Sequence, residues 1–221
     1  IAGKLGEEPL SCEFFPARLK APLNKICDLR YGENPHQRAA LYSKNPGLPF
    51  DKLAGKELSY NNILDAYGTW QAVNEFEAPA CVIFKHVTPC GLGTGSNIRE
   101  AFERAWNTDP LSAFGGIIAV NRTFDRGMAE FLSKKFVEVI CAPDFDEEAV
   151  KLFARKPNLR LLRWQALPKG RLLFRSLGDE VLVSEDDEKL LGDKWEVPTV
   201  KKPSKAEEEA LRLAWAACKY V

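Results

Sequence analysis

Between positions 80 and 162 the chain repeats one pattern, a short apolar run followed by a stretch of helical periodicity. The runs are ACVIF (80–84), GGIIAV (115–120), FVEVICA (136–142) and LRLL (159–162). The stretches between them are NIREAFERAW (97–106), MAEFLSKK (128–135) and EEAVKLFARK, which Asp146 opens. A short, continuously apolar and β-branched run suits a strand covered on both faces. Carboxylates at the start of EEAVKLFARK and basic residues at its end suit the helix dipole. Strands alternating with helices of this length predict an α/β layered domain with a largely parallel sheet.

Outside that region the signals change. Residues 1–27 mix prolines, charges and isolated apolar pairs, as in EFFPARLKAPL, and read as a linker or extended arm. Ser59 is placed to cap a helix whose core face is Ile63, Leu64, Tyr67, Trp70 and Val73. Beyond Trp164 the alternation gives way to RLLF and EVLV beside the charged run SEDDEKLLGDK, so a different substructure is expected over 165–221. A capping box at Ser204 and Glu207 opens a final helix. Its apolar face is still running at Val221, from which a chain cut short is expected.

Lys plus Arg and Asp plus Glu stand at 31 each, so no overall field favours nucleic acid or an anionic membrane. The sequence has no apolar run near the ~20 residues of a membrane span, and IAGKLGEEPL (1–10) shows neither the basic nor the apolar region expected of a signal peptide. A cytoplasmic location is expected. The six cysteines (12, 27, 81, 90, 141, 218) lack CxxC spacing and read as reduced, mostly buried thiols.

FKHVTPCG (84–91) sets a lysine and a histidine where the first of these strands ends. His86 and Cys90 suggest zinc, but the general-acid glutamate and the paired thiolates of a zinc deaminase are missing. Gly91-Leu92-Gly93-Thr94-Gly95-Ser96 suggests a phosphate-cradling loop, yet the third glycine of GxGxxG falls at Ser96 and no acid ends the next strand. A solvated Lys85 with His86 in a hydrogen-bonded niche is the plain alternative. Three features weigh against it. LRYGENPHQ (29–37) concentrates donors, with Arg30 and Tyr31 suited to a phosphorylated or planar ligand. KELSYNNILDA (56–66) puts Asn61 and Asn62 in the first turn of a helix, and TDPLSAFGGIIAV (108–120) sets Ser112, Phe114 and Gly115 before a strand.

Taken in order with FVEVICAPDFDEEA and KPNLRLL, these segments resemble the transformylase part of the bifunctional purine-biosynthesis family AICAR transformylase/IMP cyclohydrolase. The resemblance runs from about Asp28 to Leu162, with weaker echoes in PTVKKPSKAEEEALRLAWAACKYV. It implies formyl transfer from 10-formyltetrahydrofolate to the exocyclic amine of AICAR, a nucleotide, with no metal required. His86 would accept the amine proton and Lys85 would stabilise charge on the formyl group. Arg30, Tyr31, Asn62, Gly115 and Glu138 would contact AICAR, Glu138 standing where the family often has Asp. The implied fold over 28–164 is a cytidine deaminase-like subdomain without zinc, followed by a connecting region and the first helix of a second subdomain. The family site lies across a homodimer, with much of the folate site in a second half that this chain lacks, as it lacks the cyclohydrolase domain. The other reading is a nucleotide-binding or assembly module that works only with a complementary chain.

Overall fold

The computed structural model describes residues 15, 17–20, 22–167, 170–188 and 196–221. Cys12 and most of the expected 1–27 arm lie outside them. The first described element is a hairpin, β1 (Asn24–Leu29) paired antiparallel with β2 (Ala39–Ser43), so ordered pairing starts within the stretch read as an arm.

The centre is a six-stranded sheet built from β3 (Phe50–Ala54), β4 (Ala80–Lys85), β5 (Thr88–Thr94), β6 (Ile117–Val120), β7 (Val139–Ala142) and β8 (Arg160–Trp164), in the order β3-β8-β7-β6-β4-β5. The four apolar runs are therefore strands, with β6 and β7 buried at every position. The largely parallel sheet expected from the sequence is instead mixed. Only β6–β7 and β7–β8 run parallel, while β3–β8, β4–β5 and β4–β6 are antiparallel. The reason is that β4 turns back at once into β5 rather than crossing over through a helix.

Alternation along β4 divides the core. Cys81 and Ile83 face α2 (Ile98–Thr108), α4 (Arg126–Leu132) and α5 (Glu147–Phe153), where Phe102, Phe124, Leu132 and Phe153 are buried. The short α3 (Pro110–Ala113) contributes Ala113 to the same side. Val82 and Phe84 face α1 (Tyr60–Val73), which buries Ile63, Ala66, Trp70 and Val73. Leu64, expected on that core face, is exposed, because the covered stripe is carried by Ala66 instead. Trp164 anchors this layer against Phe50, Tyr67 and Trp70, at ring separations of 4.7, 4.9 and 5.6 Å.

Of the glycine run expected as a loop, Gly91 and Gly93 lie in the edge strand β5 with a helix on it, and Gly95 follows its end. A Cβ at Gly93 would come within 2.5 Å of Ala101 O and 2.6 Å of Ala105 N, so α2 crosses β5 at a distance only glycine permits.

RLLF and EVLV form the hairpin β9 (Leu172–Leu177) and β10 (Glu180–Glu185), a separate two-stranded sheet. The final helix is α6 (Lys205–Cys218), capped by Ser204 and Glu207 as the sequence predicts. Tyr220 beyond it donates to Glu75 at 2.5 Å and packs against Phe84, so the end of the chain closes on the α1 layer. Of the described cysteines Cys81 and Cys141 are buried, Cys90 is half-buried, and Cys27 and Cys218 are exposed, fewer buried thiols than expected.

Candidate functional site

Lys85 closes β4 and Thr88 opens β5, so His86 and Val87 form the whole loop of a two-residue hairpin. Both have positive φ, 55° and 61°. Two-residue hairpins of this kind are usually filled by Asn-Gly or Asp-Gly, because the left-handed region crowds a Cβ. For a β-branched valine it is a true outlier, and each such residue costs about 1–3 kcal/mol. The strain places the exposed His86 at the tip of a hairpin whose first strand is buried from Ala80 to Phe84.

The turn is held from below. Asp65, on α1 and 9% exposed, accepts the Val87 N–H through Oδ1 at 2.7 Å. Burial pushes the Asp65 carboxyl above the usual carboxylate range, a rise that the Val87 N–H and the charge of His86 oppose and that Glu138 adds to. The unfolded chain therefore ionises Asp65 first as pH rises, and the folded protein loses stability relative to it up to the raised folded value. Asp65→Asn, which carries no such burden, should gain on the wild type in denaturant titrations as pH is raised from about 4 towards neutrality. A difference that stays flat, or moves the other way, contradicts this.

One turn earlier on the same helix, Asn62 completes a capping box with Ser59 and donates Nδ2 to Glu138 Oε2 at 2.7 Å. Arg160 lies 3.9 Å from the same Glu138 oxygen, with a side chain only 13% exposed and its Nε unpartnered. Its other nitrogens reach Asn158 O and Glu57 O. Arg30 donates to the Tyr31 hydroxyl at 3.2 Å and lies over that ring. Arg30, Tyr31, Asn62, Glu138, Lys56 and Arg160 share one cleft of about 250 Å³. Its cationic groups are suited to a phosphate and its carboxylate to a hydroxyl-bearing ring.

Lys85 and His86 do not line that cleft, but a short path joins them to it. Lys85 Nζ donates to Phe114 O at 2.9 Å. The adjacent Gly115, at φ 75°, donates its N–H to Phe136 O at 2.8 Å, and Phe136 is on the cleft wall beside Glu138. A left-handed conformation is why glycine stands at 115. His36 is exposed, and Asn61 Nδ2 reaches back to Glu33 O. Among the described residues no group of three or more His, Cys, Asp or Glu side chains is placed to hold a metal ion. No helix there is long and apolar enough to cross a membrane.

Sequence reasoning missed Asp65, Lys56 and Arg160. The signal for Asp65 is its spacing of three from Asn62 on a capped helix, which puts both on one face. Arg160 has only a weak signal, a charge at the start of an otherwise apolar strand.

The sequence profile of the AICARFT/IMPCHase bienzyme family matches residues 1–221. The bifunctional purine biosynthesis protein PurH of Elusimicrobium minutum is 53% identical over 208 residues, which is 94% of this chain and 40% of that protein. PurH of Caldicellulosiruptor saccharolyticus is 44% identical over 218 residues (94% and 42%), and PurH of Clostridium kluyveri 46% over 213 (95% and 42%). The chain thus spans about two fifths of the length of these relatives. Among solved structures, Acinetobacter baumannii RibD aligns with a TM-score of 0.36 and 17% identity over 45% of this chain and 35% of that one.

Proposed function

The chain belongs to the AICARFT/IMPCHase bienzyme family, and from that membership we propose that it supplies the catalytic hairpin and part of the nucleotide site of an AICAR transformylase. The observation that carries this reading is the join between the strained Lys85-His86 tip and the Arg30–Glu138 cleft, through Phe114, Gly115 and Phe136. A phosphorylated ligand bound at Arg30 and Tyr31 would extend past Asn62 and Glu138 towards the hairpin.

In this reading 10-formyltetrahydrofolate supplies the formyl group. As the amine nitrogen of AICAR bonds to the formyl carbon, the exposed His86 imidazole takes the amine proton, and as the bond from that carbon to the folate nitrogen breaks the imidazolium returns a proton to that nitrogen, so that tetrahydrofolate leaves neutral. Lys85 uses one N–H on Phe114 O. Its remaining donors offset the charge developing on the formyl oxygen, an interaction that strengthens in the transition state.

The six-stranded mixed sheet with helices on both faces is read as a cytidine deaminase-like subdomain, and the zinc-free reading rests on the missing glutamate and paired thiolates around His86 and Cys90. A cleft of about 250 Å³ is below the roughly 300–1,000 Å³ of common ligand pockets, which supports a site completed by the rest of the polypeptide and by a homodimer partner. The protein is read as a cytoplasmic enzyme.

Formyl transfer from 10-formyltetrahydrofolate to AICAR should be measurable in the full-length protein containing this chain and negligible in residues 1–221 alone. Mixing with the separately expressed remainder should restore it. Full rates from 1–221 alone would overturn the divided site. AICAR binding without transfer in any combination would favour a nucleotide-binding assembly module instead.

A further inference from the structure

The hairpin that carries His86 is held in an unfavourable conformation, and the group that holds it is a carboxylate rather than a neutral cap. Asp65 is buried on α1, three residues after Asn62, and meets the Val87 N–H at 2.7 Å. Ordinary turn chemistry would put glycine at 87 and need no such support. Here the tip keeps His86 and Val87 at positive φ, which persists only where surrounding contacts over-determine it.

α1 is also a rigid base for this contact. Its first turn is closed by the Ser59–Asn62 capping box, and its far side is packed through Ala66, Trp70 and Val73. One helix face therefore sets two things at once. Asn62 fixes Glu138 in the nucleotide cleft, and Asp65 fixes the turn that presents the imidazole. The charged and titratable groups that face Asp65 are His86 from the hairpin and Glu138 from the approach to β7.

We propose that Asp65 is a positioning residue for formyl transfer, which sets where His86 stands relative to the nucleotide cleft by accepting the Val87 N–H. The proposal rests on the transformylase reading only for its kinetic consequence, since the hold on the hairpin is a structural claim in its own right. Displacing a catalytic group by about 1 Å costs roughly 10²-fold in rate, and a positioning residue should act at that scale.

The test is carried out in the full-length protein, with Asp65→Ala and Asp65→Asn compared in two measurements. Steady-state kinetics should show kcat reduced by about 10–10²-fold in Asp65→Ala with KM for AICAR little changed. Hydrogen exchange by mass spectrometry should show faster exchange in the peptide spanning 83–90. Asp65→Asn, whose amide oxygen can still accept the N–H, should restore both. Unchanged hairpin exchange in Asp65→Ala overturns the proposal, as does a loss expressed in KM alone or an Asn variant as impaired as Ala. Were the wild type inactive in transfer, the transformylase reading would fail by itself, and the exchange data would still decide whether Asp65 holds the turn.

Discussion

Replacing His86 by Ala in the full-length protein should lower kcat for formyl transfer by about 10³-fold, within the 10²–10⁴ range for loss of a general base. AICAR affinity should stay within a few-fold of wild type. His86 is exposed at the hairpin tip and takes no part in the cleft formed by Arg30, Tyr31, Asn62 and Glu138. Removal of its ring leaves the core untouched and relieves no packing, so the variant should fold normally. The fall should be seen in kcat and kcat/KM together, the pattern of an interaction made only in the transition state. A variant that keeps full kcat would remove His86 from the chemistry and leave the strained turn without a catalytic explanation.

Gly93→Ala should cost about 3 kcal/mol or more of stability by chemical denaturation. Overpacking usually costs 1–3 kcal/mol and more where backbone must move. A new Cβ at 93 meets Ala101 O at 2.5 Å, Ala105 N at 2.6 Å and Arg104 Cβ at 2.7 Å, and two of these are main-chain atoms that no rotamer change can clear. α2 would have to lift from β5, opening the layer that holds Phe102 and Trp106. The hairpin tip lies at the other end of the same strand, so lost activity should accompany lost stability. A variant as stable as wild type would mean that α2 and β5 do not pack this closely in solution.

The contrast between the two glycine-rich signals shows how far local reading goes. At 115 a glycine before a strand reads locally as a turn that lets backbone approach closely, and the structure adds a left-handed φ of 75°. At 91–95 an apolar strand followed by glycines and a helix suggests a phosphate loop, but Gly91 and Gly93 lie in a strand beneath a helix. Both segments look alike locally, because the need for a missing side chain does not record what occupies the space. The same limit applies to the site. Arg30, Tyr31, Asn62 and Glu138 were named from motif resemblance, and the fold gathers them in one cleft. Asp65 lies within KELSYNNILDA, yet its partner is the Val87 N–H of a hairpin more than twenty residues away.

By itself the sequence determined the positions of the four central strands, the N-caps at Ser59 and Ser204, and the family. Apolar periodicity, capping and motif order are properties of contiguous residues, and they are legible without knowing what packs on them. Tertiary structure alone decided that β4 folds straight back on β5, that the sheet is mixed, that Asp65 meets the Val87 N–H and that Arg160 comes beside Glu138 in the cleft. Each of these depends on which distant backbone atoms come within a few ångströms, and no local pattern encodes that.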